Sequence, residues 1–195
     1  ATTTPSLITL VADGKTLPVN VTESGRASVP LTTVSGSIAG GSTVVVEVVP
    51  IKGVSSYSAD LPSSVLSGSG EGTLTLSTEL GDFTLSANML AGSGLTGQAS
   101  IVIGEGTKET LPDTVQAAIG DRPLIQLTLE INGIQTPWTN PDAPVVVSIP
   151  YTPSQEELEN PEAIVIWYLD GEGNAVCVPN GHYDAESGRV VFSTT

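Results

Sequence analysis

The chain has 195 residues, of which 6 are Lys or Arg and 21 are Asp or Glu, so its formal net charge at pH 7 is −15. Because the few cationic side chains are scattered singly along the sequence, no face can neutralise a phosphate backbone, which excludes nucleic acid as a partner. The single cysteine, Cys177, excludes an internal disulfide, and no apolar run approaches the ~18 residues of a membrane-spanning helix, so we expect no membrane insertion.

Short runs rich in Val, Thr and Ile recur along the chain at intervals of roughly ten residues, with glycines and prolines between them. The candidate strands are residues 6–12, 15–21, 42–50, 72–78, 81–86, 97–104, 124–131, 143–151, 163–169, 174–179 and 188–194. Asp13-Gly14 and Asn132-Gly133 are typical of tight turns that join antiparallel strands. The pattern predicts an all-β fold, an antiparallel β-sandwich or a pair of them, with a few short helical turns.

Four segments combine a Ser or Pro start with a Gly or Pro stop and predict those helical turns: residues 61–68, 86–92, 111–120 and 152–161. In the last of these, Thr152 is the candidate N-cap ahead of Pro153. A composition shift near residues 104–114 predicts an N-terminal β lobe over 1–106 and a C-terminal β-sandwich lobe over 107–195. This division still allows the two lobes to pack as one unit.

Hydrophobic patterning predicts which strands have one solvent-exposed face. Residues 124–131 alternate between apolar and mostly polar side chains, which places the two kinds on opposite faces of a strand. Residues 43–49 and 144–150 are almost continuously apolar, which predicts central strands covered on both faces.

Residues 161–181 hold a tryptophan, the single cysteine and several acidic and amide side chains. Two strand-like runs flank the sequence Asp-Gly-Glu-Gly-Asn, so the first interpretation is a hairpin with a tight reversal. The alternative is a calcium loop, because Asp170, Glu172 and Asn174 alternate in a way that can direct three oxygen ligands at one ion. Apart from this structural calcium, no cofactor is expected.

No catalytic constellation is evident from the residue types, and we predict that the chain is not an enzyme. Cys177 lies in an apolar strand with no adjacent base, so it is predicted to be a small buried thiol. His182 is the only histidine, and we interpret it as structural. A Cys177–His182 dyad requires the Asn-Gly turn between them to fold back.

A carbohydrate site is the main alternative to a purely structural role, because aromatic rings provide stacking surfaces for sugars. Trp138 lies in a proline-flanked loop and is the preferred candidate, together with Tyr151. Trp167 and Tyr168 are less favoured, because alternation within a strand is expected to bury one of them.

From residue 119 onward the chain resembles a module of large cell-surface proteins of Gram-positive bacteria that carry S-layer homology (SLH) repeats. The sequences that carry the resemblance are "NPDAPVVVSIPYTP", "IVIWYLDGEGNAV" and "YDAESGRVVF", and the segment "YSADLPSSVLSGSGEGTLTLSTELGDFTLSANML" is similar to the one that precedes the module in those proteins. The resemblance implies an extracellular location at the cell surface or S-layer. It also implies partners among other surface-layer or cell-wall components, including polysaccharide.

Taken with the composition, the resemblance predicts a non-catalytic structural or interaction module of an S-layer-associated protein. Relatives continue into a His-Phe-Ser-Lys-Tyr segment that looks like the self-cleavage site of ZU5-type β domains. The resemblance therefore leaves open that the chain is part of an autoproteolytic ZU5-like β domain. That cleavage segment does not occur in these 195 residues.

Overall fold

The structure, a computed structural model, describes residues 4–11, 16–169 and 174–195, with side chains described from residue 16 onward. Its strands are β1 (Thr4–Val11), β2 (Thr16–Val21), β3 (Arg26–Pro30), β4 (Thr43–Glu47), β5 (Ser56–Pro62), β6 (Thr73–Thr78), β7 (Gly81–Ser86), β8 (Gln98–Glu105), β9 (Ile125–Ile131), β10 (Ile134–Gln135), β11 (Val145–Pro150), β12 (Trp167–Leu169), β13 (Ala175–Cys177), β14 (His182–Asp184) and β15 (Arg189–Thr194). The helices are α1 (Thr32–Ala39), α2 (Asp113–Ile119) and α3 (Gln155–Glu159), with single 3-10 turns at Ser63–Leu66, Lys108–Thr110 and Pro161–Ala163.

A sheet of 13 strands, in the order β10-β9-β8-β5-β3-β2-β1-β4-β6-β7-β11-β15-β14, forms the body of the described part of the chain. It folds over at β1, which pairs with β2 along most of its length and with β4 at its end. The sandwich therefore has two layers. One layer contains β10, β9, β8, β5, β3 and β2, and the other contains β4, β6, β7, β11, β15 and β14. The chain is an all-β sandwich, as predicted.

Most strand pairs are antiparallel, but β3 pairs with β5 and β4 pairs with β6 in parallel. The path of the chain explains this difference from the antiparallel prediction. From β3 to β6 the chain alternates between the two layers, so strands two steps apart become neighbours in one layer and run in the same direction.

Among the described side chains, one hydrophobic core lies between the layers and contains residues from both of them. Its largest fully buried side chains include Tyr57 and Leu61 of β5, Phe83 of β7 and Ile101 of β8. Strand ladders also cross the predicted lobe boundary at residues 106 and 107, because β8 pairs with β9 and β11 pairs with β7. The two-lobe division itself stays a prediction.

The N-cap of α3 and the surroundings of the continuous apolar strands both differ from the predictions. The N-cap of α3 is Ser154 rather than Thr152. Ser154 Oγ accepts a hydrogen bond from the Glu157 backbone N–H, and the Glu157 carboxylate accepts one from the Ser154 N–H, which is a capping box.

The strands with continuous apolar runs, β4 and β11, are not covered on both faces, because Val146 of β11 is 39% exposed. The strands are internal to the sheet, with a neighbour on each edge, which satisfies their backbone groups but leaves one face open to water.

None of the helices in the described ranges is long and apolar enough to pass through a membrane.

Candidate functional site

Strands β12 and β13 form a two-stranded hairpin that belongs to neither layer of the sandwich. In its ladder Trp167 pairs with Cys177, and Tyr168 pairs with Val176. The exposed fractions of Trp167, Tyr168 and Val176 are 55%, 60% and 59%. The hairpin therefore presents an aromatic side chain on each of its two faces.

The prediction that alternation buries either Trp167 or Tyr168 is wrong. Alternation places successive side chains on opposite faces of a strand, but a face is buried only where another layer covers it. A backbone hydrogen bond of 2.9 Å from Val178 N–H to the Ile166 carbonyl fastens the base of the hairpin. Beyond that base, neither face is packed against the core that the described side chains form.

The prediction of a buried thiol at Cys177 is also wrong, because this residue is exposed. Cys177 and His182 lie in different sheets, since His182 belongs to β14 and pairs with Val191 of β15. His182 is exposed at this sheet edge, and it interacts electrostatically with the carboxylate of Asp184 at the other end of the same strand. The Ser187 hydroxyl and the Glu186 backbone N–H donate to Asp184 and hold the pKa of its carboxyl below its usual value.

Tyr151 belongs to a polar network at the start of α3. Its hydroxyl lies 2.9 Å from both carboxylate oxygens of Glu157, and Arg122 contacts the same carboxylate at 3.2 Å. The Ser154 backbone N–H, with the Tyr151 hydroxyl and Arg122, lowers the pKa of Glu157, whereas burial is the main cause that raises the pKa of Tyr151. The Tyr151 ring also meets Tyr183 edge-on, with ring centres 6.4 Å apart. Stacking of Tyr151 on a sugar stays a prediction, with the hydroxyl already engaged inside the protein.

Trp138 lies beside a groove of about 420 Å³ that runs along β9. The indole packs against the hydrophobic core, and its Nε1–H is buried without a hydrogen-bond partner among the described residues. The other residues that line the groove are Leu127, Thr128, Leu129, Gln135, Thr136 and Pro137. Trp138 therefore forms part of a groove wall and is not a freestanding aromatic platform.

A second cleft, of about 480 Å³, lies where the two layers meet near the predicted lobe boundary. The carboxylates at its wall are those of Glu79, Glu105, Glu109 and Asp121. Its cations are internally engaged: the Lys108 ammonium donates to the carbonyls of Gly120 at 2.7 Å and Arg122 at 3.0 Å, closing the loop that contains α2. Sequence reasoning missed this cleft because its lining comes from four separate segments with no shared motif.

The predicted calcium loop lies largely outside the described residues, since Asp170 and Glu172 fall in the range 170–173. Asn174 is described and exposed. Within the described ranges, no group of three or more His, Cys, Asp and Glu residues is arranged to hold a metal ion. Calcium binding at Asp170, Glu172 and Asn174 stays a prediction.

Comparisons of the chain with protein-family models, with curated proteins and with solved structures find no match. The resemblance to modules of SLH-bearing proteins therefore remains an expectation from the sequence.

Proposed function

We propose that the chain is a non-catalytic extracellular module that has a structural or interaction role in an S-layer-associated cell-surface protein. The observation that carries the proposal is the core that both layers share among the described side chains, from Leu17 in β2 to Val147 in β11. A sandwich with one continuous core unfolds as a unit, which suits a protein that must keep its shape outside the cell. The net charge of −15 makes copies of the chain repel one another, which favours solubility.

The sheet edges support the same role. The two outermost strands are short: β10 spans Ile134–Gln135 and β14 spans His182–Asp184. Short edge strands offer few unpaired backbone groups for unwanted pairing with other chains. Between β14 and β15, the carboxylate of Asp184 accepts from Ser187 Oγ at 2.6 Å and fixes the turn.

A sedimentation experiment tests this proposal. The purified chain is mixed with Gram-positive cell walls that retain their S-layer, and with the same walls after the S-layer has been removed. We expect the chain to sediment with at least one of the two preparations, while an acidic protein of similar size stays in solution. Failure to sediment with both, or a turnover activity of the chain that one substitution abolishes, would contradict the proposal.

A second candidate is carbohydrate binding in the Trp138 groove, favoured by the hydrogen-bonding side chains of Gln135, Thr128 and Thr136 beside the indole. A glycan array tests it with Gln135→Ala as the main variant, because Gln135 is exposed and its truncation leaves the core intact. We expect the signal to fall in Gln135→Ala and to persist in Tyr168→Ala on the distant hairpin. Equal binding by the wild type and Gln135→Ala would exclude the groove as the carbohydrate-binding site.

A further inference from the structure

Exposed apolar surface is concentrated in one part of the described chain. The large hydrophobic side chains that are exposed are Val49, Ile134, Val146, Leu158, Val165, Trp167, Tyr168 and Val176. Five of these eight lie between residues 158 and 176, and the two aromatic ones both lie on the β12–β13 hairpin. Clustered exposed aromatics are typical of protein interaction surfaces, whereas scattered single ones are ordinary.

The same part of the chain is uniformly acidic. Residues 151–188 contain no Lys or Arg, and their acidic residues are Glu156, Glu157, Glu159, Glu162, Asp170, Glu172, Asp184 and Glu186. Glu156 and Glu159 on α3 and Glu162 in the following 3-10 turn are exposed and lie in the chain directly before the hairpin. An apolar surface whose flanking chain segments carry one sign of charge favours a partner of the opposite charge.

A second copy of this chain is a poor match for the hairpin. Each copy carries a net charge of −15, so two copies repel each other at close approach. The exposed parts of Trp167 and Tyr168 amount to roughly 100–150 Å² each, well short of the ~800 Å² per partner in a stable interface. A larger, cationic partner that also covers the acidic residues of α3 and the following 3-10 turn supplies the missing area.

A single sugar chain is also a poor match, because consecutive strand residues point to opposite faces and Trp167 and Tyr168 cannot stack on the same ring. A protein cleft that receives the hairpin contacts both faces at once. We infer that the β12–β13 hairpin docks into a basic protein cleft, with Trp167 and Tyr168 as apolar anchors and Lys or Arg side chains pairing with Glu156, Glu159 and Glu162. This inference names the partner class for the interaction role proposed above and rests on that role.

A designed peptide pair tests the inference. The probe is a blocked peptide in which pairs of lysines alternate with pairs of valines, so that each face of the extended strand carries both ammonium groups and apolar side chains, and its match carries glutamate in place of lysine. We expect the chain to bind the lysine peptide and not the glutamate peptide, with an affinity that falls as salt rises. Trp167→Ala should weaken binding about ten-fold, and Glu159→Gln/Glu162→Gln should weaken it less.

The matched control is Ile134→Ala, which removes an exposed apolar side chain from β10 and should leave binding unchanged. Unchanged affinity in Trp167→Ala, equal binding of the two peptides, or no binding up to ~1 mM would each overturn the inference. So would binding of the hairpin to neutral oligosaccharides alone, or a Trp167-dependent dimer in sedimentation equilibrium. If wild type and Trp167→Ala sediment equally with cell walls, the proposed function stands and the hairpin inference fails.

Discussion

The hydroxyl of Tyr57 in β5 donates a hydrogen bond of 2.6 Å to Oε1 of Glu79, which lies in the turn between β6 and β7. Tyr57 is fully buried, so its side chain crosses the core from one layer and ends at the rim of the other. The Ile51 backbone N–H approaches the same hydroxyl at 3.4 Å. The two layers are thus joined by a directional polar contact at one end of an otherwise apolar core.

Replacement of Tyr57 by phenylalanine removes this contact and keeps the ring in the core. We expect Tyr57→Phe to lower the free energy of unfolding by about 1 kcal/mol. A hydrogen bond to a charged group stabilises more than one between neutral groups, but the exposure of Glu79 to water reduces this contribution. Urea unfolding measures the change. Tyr168→Phe on the exposed hairpin is the control and should change stability by less than about 0.5 kcal/mol. Equal effects of the two substitutions would show that the contact adds nothing to stability.

Alkaline pH should destabilise the protein through the same residue. Burial, with the bond to Glu79, raises the pKa of Tyr57 from 10.0 to about 12. Between these values the unfolded chain loses the phenolic proton while the folded chain keeps it, so deprotonation favours unfolding as the pH rises. This contribution to stability is complete below pH 10 and falls away toward pH 12, with a slope of at most ~1.4 kcal/mol per pH unit.

The measurement is urea unfolding at a series of pH values from 9 to about 12. Tyr57→Phe should show a shallower loss of stability over this range, because it lacks the titrating group. A parallel pH dependence of wild type and Tyr57→Phe would contradict the raised pKa.

Sequence patterning predicted the strands with strong Val, Ile and Leu alternation but missed the short edge strands β10 and β14 and two longer strands, β3 and β5. These two strands carry Ala27, Ser28, Ser58 and Ala59, small residues with weak β propensity. Their place is set by long-range contacts: β5 lies between β3 and β8 and buries Tyr57 in the core. Local composition does not contain that information.

Helix α1 was missed for a related reason. Its sequence, TTVSGSIA, consists mostly of residues with weak helix propensity, and the helix forms because Val34 and Ile38, one turn apart, are both buried against the core. At the candidate site the strand assignment of Trp167 and Cys177 was correct, but the predicted burial of Cys177, and of one of Trp167 and Tyr168, was wrong. Whether a face is covered depends on how layers stack, which alternation within one strand does not encode.

Two glycines near α1 provide a matched test of packing against helix propensity. A Cβ at Gly72 would collide with the backbone carbonyl of Ile38 at the end of α1, whereas a Cβ at Gly36 within the helix meets no atom within 4 Å. We expect Gly72→Ala to cost ~3 kcal/mol or more, since neither backbone segment can yield easily. Gly36→Ala should stabilise by about 0.5–1 kcal/mol, because alanine loses less conformational entropy in a helix.

Thermal and urea unfolding of both variants measure these opposite signs. A neutral Gly72→Ala would mean that the chain at residue 72 and the end of α1 are further apart than the structure places them. A destabilising Gly36→Ala would mean that α1 does not extend through that residue.

The exposure of Cys177 makes the hairpin accessible to a chemical test. In the native protein its thiol should react with Ellman's reagent about as fast as in the unfolded chain, because no described side chain covers it. The control is Cys177→Ser/Val46→Cys, in which the only thiol lies at a fully buried core position and should react only when the protein unfolds. Protection of native Cys177 to the level of this control would show that the hairpin packs against the body of the protein, and Trp167 would then be unable to anchor a partner.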